Sequence, residues 1–265
     1  MKGKVSPRFY NKKYYYQKCE GHEEFVKGKI SKRFAPAFSL LGNVKGQNVL
    51  DIGCGRGEMV IYCAKKGSMA YGIDYSKDAI EIARKNVDNI KKIEHSISDK
   101  VSFKLMEAGC LQFKDHFFDK VLLLDFIEHV YPEELENILM ETKRVTKVKG
   151  MIIIHTPNLW FLRMLQTVGH PFGYKESNLH VNLQSYFQLK RSLKILNGDI
   201  KFHFIKRKNY FFHLTSNIRK SNLGNLSVRI LDYLFEISLI AKVVHSNPFA
   251  FLFESDFWIT INDCN

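Results

Sequence analysis

Cysteine is scarce in this 265-residue chain and never patterned. Cys19, Cys54, Cys63, Cys110 and Cys264 fall at no spacing that suits a disulfide framework or a zinc site, and no signal-peptide pattern opens the sequence. A reducing, cytoplasmic setting is therefore expected. No carboxylate cluster demands a metal ion, and no recognised nucleic-acid-binding module is present. A membrane-spanning helix is not expected either, because the apolar stripe of residues 226–244 carries Arg229, Asp232 and Glu236 on its opposite side.

What the chain does have is apolar bulk. With 45% apolar and 13% aromatic residues it can bury one sizeable core, so a single domain with a decoration is expected rather than two domains. The formal net charge of +13 is unevenly placed: residues 1–48 carry about +8, residues 49–158 about −1 and residues 159–265 about +6. Basic flanks suit an anionic partner such as nucleic acid, an acidic membrane face, or a phosphorylated or lipid-linked substrate. A lysine-rich surface also simply keeps a protein soluble.

The organising stretch is Val49-Leu50-Asp51-Ile52-Gly53-Cys54-Gly55-Arg56-Gly57-Glu58-Met59-Val60. A β-favouring run enters three alternating glycines and a helix-compatible run follows, which reads as strand, tight turn and helix. Glycine serves where a backbone turns sharply and a ligand approaches it, and the helix behind points free amide groups into the same space. Asp51 stands two residues before the first glycine. The run from Met69 to Ile73 ends in Asp74, placed for a second parallel strand whose terminal carboxylate grips ribose hydroxyls, and Val121 to Leu124 ends in Asp125. A turn lined with acid suits a cationic cofactor, and a sulfonium is one. A nicotinamide dehydrogenase is disfavoured by Asp51 and by the missing third glycine at the dinucleotide spacing.

Asp51 through Gly57, Gly72-Ile73-Asp74, Phe118-Asp119-Lys120-Val121 continuing through Asp125-Phe126-Ile127-Glu128-His129-Val130, and His155-Thr156-Pro157-Asn158 resemble the successive motifs of class I S-adenosylmethionine-dependent methyltransferases. The branch most resembled holds the ubiquinone-biosynthesis-type O-methyltransferases and relatives acting on small molecules and cell-surface sugars. The likeness covers roughly residues 45–200. It implies an α/β, Rossmann-like fold: a seven-stranded, mostly parallel sheet with helices on both faces, an N-terminal helical lid and a helical insertion before the last strand. It implies S-adenosylmethionine as cofactor and in-line transfer of its methyl group to a hydroxyl of a small-molecule, sugar or lipid-linked acceptor, by a monomer or homodimer.

The expected divisions are a lid over residues 1–47, a cofactor-binding core over 48–206, a helical insertion over 207–248 and a closing strand over 249–265. The stretch from Glu23 to Leu41 reads as helix interrupted near Pro36. The tyrosine-dense Phe9 to Tyr16 either lies over the cofactor, as the resemblance suggests, or packs a helix onto the core. Helices are expected over Glu58–Lys66 and Lys77–Asn86, with Gly67 and Ser76 as caps, and from Pro132 onward. Strands are expected at Val101–Leu105, Phe118–Leu124, Met151–His155, Ile200–Ile205 and Phe257–Ile261, the last antiparallel by resemblance. Gly198 is expected to stop the helix carrying Tyr186, Leu189, Leu193 and Leu196. Residues 226–244 either pack on their own domain or a dimer partner, or lie on a membrane surface near a lipid-linked substrate.

The cofactor-binding candidates are Asp51, Gly53, Cys54, Gly55 and Gly57 in the turn, with Asp74 and Tyr75 after the second strand. By resemblance Glu107 and Ala108 stand where relatives place an acidic residue and an alanine near the adenine amino group. Asp125 either faces the methionine moiety or the acceptor, or caps its own turn. His129 and His180 are the candidates for accepting a hydroxyl proton, with His155 weighed beside them, since an imidazole titrates near neutrality. The Glu128-His129 pair alternatively only orients its loop. Two other functions compete. An RNA methyltransferase would use the basic flanks, but the chain has neither an Asn/Asp-Pro-Pro-aromatic loop nor a Pro-Cys nucleophile. A non-catalytic, cofactor-binding partner subunit is the other.

Overall fold

The computed structural model describes residues 5–19, 21–27, 29–91, 95–167, 179–203 and 255–263. Seven strands form one sheet: β1 (Asn48–Ile52), β2 (Met69–Asp74), β3 (Val101–Leu105), β4 (Phe118–Leu124), β5 (Thr146–Pro157), β6 (Asp199–His203) and β7 (Asp256–Asn262). Their spatial order is β3-β2-β1-β4-β5-β7-β6, and β7 alone runs against its neighbours. Strand order turns back at β1, with β2 on one side and β4 on the other, so a crevice opens beyond the carboxyl ends of β1 and β4.

The strands read as near-continuous apolar runs because both faces of the sheet are covered. Val121 and Leu123 of β4 join Ile152, Ile154, Phe257 and Ile259 in a core with α5 (Pro132–Val145) and α7 (Tyr186–Leu193). The alternate residues Leu122 and Leu124 join Ile153 and Trp258 in a core with α2 (Ala35–Leu41), α3 (Glu58–Lys65) and α4 (Lys77–Lys91). Helix boundaries follow local chemistry. Gly67, at φ 92°, takes the left-handed position after α3, and Ser76 Oγ accepts the Ala79 amide at 3.2 Å to start α4. Lys120, buried on β4, donates its ammonium to the Leu41 carbonyl and to Asn43 O at 2.9 Å, tying the end of α2 to the sheet.

Two expectations need correction. Glu23 to Leu41 is not one helix broken at Pro36: α1 (His22–Val26) ends first, and Pro36 sits in the first turn of α2, where its missing N–H leaves nothing unpaired. Nor does Gly198 stop the chain after α7. Asn197, at φ 56°, makes that left-handed turn, while a Cβ on Gly198 would come within 2.5 Å of Asn262 O, so glycine there permits the close approach of β7. The expected insertion over 207–248 lies outside the described residues, as do residues 204 and 205 of the sixth strand. No helix among the described residues is long and apolar enough to cross a membrane.

Gly57 opens α3 at φ 77°, and a Cβ there would stand 2.6 Å from Phe103 Cζ and 3.0 Å from Ala83 Cβ. Gly57→Ala combines backbone strain with overpacking, and should destabilise the fold by about 1–3 kcal/mol in thermal or urea unfolding. An unchanged midpoint would remove the packing role assigned to this glycine.

Candidate active site

β1 ends on Asp51 and Ile52, and the chain then turns through Gly53 (φ 74°) and Gly55 (φ 49°) into α3. A Cβ on Gly53 would meet Phe126 at 2.5 Å, and one on Gly55 would meet the Tyr15 ring at 3.3 Å, so the turn stays bare backbone under layers already in place. Asp74, at the end of β2, braces it: Oδ2 accepts the Gly55 amide at 3.0 Å and Oδ1 the Ser76 amide at 2.8 Å. Above lies a cavity of about 1510 Å³. Its walls include Asp51, Gly53, Cys54, Gly55, Asp74, Tyr75, Glu107, Ala108, Asp125, His129 and His180. Gly57 is the exception among the candidates: it faces Phe103 and Ala83, and serves packing between α3 and its neighbours rather than the cavity wall.

Residues 5–19 pass over this cavity. Tyr75 Oη donates to Val5 O at 3.0 Å, Ser76 Oγ to Tyr10 O at 2.6 Å, and Arg56 Nη1 to Tyr15 O at 3.1 Å. Tyr10 meets Tyr14 and His129 edge to face, at ring separations of 5.3 and 5.7 Å. The same segment brings Arg8, Lys13 and Lys18 to the wall.

Acid gathers around the turn, and only part of it is matched. Glu58 is held by Arg56, both side chains buried, with Nη2 to Oε2 at 2.7 Å. Asp51 and Asp74 are also buried, yet neither has an ion-pair partner among the described residues. Burial, aided by Asp74 and Glu58 nearby, pushes the Asp51 carboxyl up to about 8, and burial raises Asp74 to about 6 against the pull of its amide donors.

Asp125 behaves in the opposite way. It ends β4 at φ 51°, accepts from Arg33 Nη1 at 2.6 Å, and meets His155 Nδ1 at 2.5 Å. Burial opposes its charge, but Arg33 and His155 overcome that and hold the carboxyl well below the ordinary range. The expectation that Asp125 faces cofactor or acceptor therefore needs qualifying: it reaches the wall with both oxygens engaged. His155 is in turn part-buried and stacked on Trp258 at 4.1 Å, with Asp125 and Asp256 raising it to about 10 against desolvation. An imidazole that stays protonated accepts no proton near neutrality, so His155 leaves the set of bases.

His129 and His180 meet at a ring separation of 4.7 Å, on the wall beyond β4. The short turn Ile127–His129 carries the first, and residues 179–185 bring the second, docked by the Asn182 amide on Glu128 O at 3.1 Å. Burial holds His129 down to about 4 and lowers His180 as well, so both rings are neutral. Glu128, 1% exposed, takes one hydrogen bond from Thr156 Oγ1 at 3.1 Å, and burial and Asp125 raise its carboxyl. Against the metal-free expectation, donor atoms of Glu128, His129 and His180 all lie within 4.8 Å of one another, close enough to hold an ion.

Comparison with known proteins places this geometry. The methyltransferase domain family matches residues 50–154. Norajmaline N-methyltransferase from Rauvolfia serpentina is 36% identical over 111 residues, which are 42% of this chain and 36% of that one. Ubiquinone biosynthesis O-methyltransferase from Haemophilus ducreyi is 30% identical over 114 residues, 43% of this chain and 46% of that one. A SAM-dependent methyltransferase from Archaeoglobus fulgidus shares the fold, with a TM-score of 0.61 over 91% of this chain and 97% of that one at 24% identity. Residues 50–154 belong to the class I S-adenosylmethionine-dependent methyltransferases. The chain spans less than half the length of the two curated relatives.

The domain's residues fit the cofactor that the family uses. Buried carboxylates without cation partners among the described residues, beside a glycine turn on the cavity wall, suit a ligand that carries positive charge and a ribose. Sequence reasoning missed Arg33 and the unmatched burial of Glu128. Only the latter had a signal, its place inside the Glu128-His129 motif.

The Asp125–His155 pair generates a prediction. His155 is raised when folded, so its contribution to stability is complete below the ordinary histidine range and is lost as pH climbs toward about 10. Unfolding free energy should therefore decline on the alkaline side, and Asp125→Asn should flatten that decline. By NMR, the His155 ring should remain imidazolium at about pH 8 while His129 is already neutral at about pH 5.5. A neutral His155 ring at pH 8 would break the charge assignment.

Proposed function

We propose that the protein transfers a methyl group from S-adenosylmethionine to a hydroxyl of a small-molecule, sugar or lipid-linked acceptor. The observation that carries this reading is the buried pair Asp51 and Asp74 at the glycine turn, which have no ion-pair partner among the described residues. S-adenosylmethionine, when bound, supplies an activated methyl on a positive sulfonium. The chain's work is then geometry and the exclusion of water. Asp51 meets positive charge. Asp74 retains lone pairs beyond those spent on Gly55 and Ser76 and can take ribose hydroxyls. Tyr10, Tyr14 and Tyr15 form the roof. The acceptor sits against His129 and His180, and Arg8, Lys13 and Lys18 on the same cavity favour one that carries phosphate or carboxylate. A cytoplasmic location, at the membrane face where the acceptor is lipid-linked, belongs to the same proposal.

Calorimetry tests the reading. S-adenosylmethionine and S-adenosylhomocysteine should bind and NAD should not; failure of both sulfur ligands would overturn it. Asp74→Ala should weaken cofactor binding by about 10- to 100-fold. The sign of the pH dependence also follows. Asp51 is raised in the free protein, and a bound cation stabilises its ionised form, so binding near pH 7 releases a proton and affinity rises with pH toward about 8. Binding heat should accordingly vary with the ionisation enthalpy of the buffer.

A further inference from the structure

Glu128 is the buried carboxylate that the methyl-transfer reading leaves unexplained. Its neighbour Asp125 has its charge answered by Arg33 and His155, whereas no basic side chain pairs with Glu128 among the described residues. The imidazoles of His129 and His180 face it, and the His155 ring, already shared between Asp125 and Asp256, adds only an electrostatic pull. The hydrogen bond between His129 Nδ1 and the Leu179 carbonyl, at 3.1 Å, assigns the proton to Nδ1 and leaves Nε2 with a free lone pair. No hydrogen bond among the described residues occupies the ring of His180. One donor atom from each of the three side chains lies within 4.8 Å of the others, on the wall of the cavity.

We propose that Glu128, His129 and His180 bind a divalent first-row transition ion, with zinc as the reference case, whose open coordination positions face the acceptor. Two imidazoles and one carboxylate are a donor set that catalytic zinc uses, whereas magnesium prefers oxygen ligands alone. The acceptor role rests on the methyl-transfer reading; the site itself does not. In that role the ion takes the acceptor hydroxyl as a further ligand and lowers its pKa, so that its proton passes to solvent. The oxygen then bonds to the methyl carbon as the carbon–sulfur bond breaks and its electron pair stays on sulfur. Alcohol and sulfonium thus give ether, thioether and one proton.

The test is titration of the tag-free, chelator-treated full chain with zinc by calorimetry and with cobalt(II) by its visible d–d absorption. Wild-type protein should bind about one ion per chain with a dissociation constant near or below 10 µM, roughly −7 kcal/mol. His129→Ala and His180→Ala should each weaken binding by about 100-fold, and Glu128→Gln by at least 10-fold. Circular dichroism and S-adenosylhomocysteine binding serve as controls for folding. His180→Ala is the decisive variant, because its ring supports no other described hydrogen bond. Zinc binding weaker than about 1 mM, or binding that the His180 variant leaves unchanged, would overturn the site. A wild-type chain that binds cobalt but not S-adenosylhomocysteine would sink the methyl-transfer reading and leave the metal site standing.

Discussion

Buried negative charge is the constraint on which this molecule turns. Asp51, Glu58, Asp74, Asp125 and Glu128 surround one crevice, and taking a carboxylate out of water is costly unless a partner answers it. Among the described residues, two of the five have a basic partner. Arg56 holds Glu58, and Arg33 with His155 holds Asp125. The other three are left with raised pKa values, the physical signature of charge awaiting a ligand. Asp74 also braces the turn through the Gly55 and Ser76 amides, and Glu128 takes the Thr156 hydroxyl, so folding accounts for part of their burial; their charge is what folding leaves unmatched.

The fold brings the acids together by topology. Parallel strands carry their carboxyl ends to one edge of the sheet, and Asp51, Asp74 and Asp125 are the residues at or just past the ends of β1, β2 and β4. The reversal of strand order between β2 and β4 then opens space between those ends. A cover is needed to keep water out, and residues 5–19 supply it through backbone carbonyls that take donors from Arg56, Tyr75 and Ser76. Arg33 adds a charged tie between the segment ahead of α2 and the end of β4. Cover and cradle are thus joined by the same electrostatics that make the cradle attractive to a cation.

Much of this was legible in the sequence because its causes are local. Alternating glycines after an apolar run specify a turn, and an acid at the end of each apolar run marks a strand's carboxyl end. The parallel sheet, with β7 reversed, followed by resemblance. What escaped were relations across long stretches of chain. Arg33 and Asp125 are separated by 92 positions, His129 and Leu179 by 50, and Arg56 and Tyr15 by 41. Nothing local in Ser31-Lys32-Arg33-Phe34 distinguishes the arginine that enters the site from the lysine beside it. His155 misled for the same reason: its protonation is set by Asp125 and Asp256, which no pattern around His155 announces. Gly57 is grouped with its ligand-binding neighbours by the turn pattern alone, which does not reveal that Phe103 and Ala83 also leave no room for a side chain there.

The unmatched acids also bear on what happens after chemistry. Asp51 and Asp74 interact with a ligand in proportion to its charge, and loss of a methyl from a sulfonium removes one positive charge. On the methyl-transfer reading, the cradle's electrostatic preference is for the charged cofactor over the spent one, through the term that low dielectric strengthens. Because burial favours a protonated Asp51, the carboxyl can take up a proton as the charge above it disappears, which makes exchange less costly than leaving an unpaired anion behind. A cradle whose acids were all paired, as Glu58 and Asp125 are, would bind both forms alike and gain no such discrimination. On that reading, the imbalance of charge around β1 and β2 is what would let one turn prefer the reactant form.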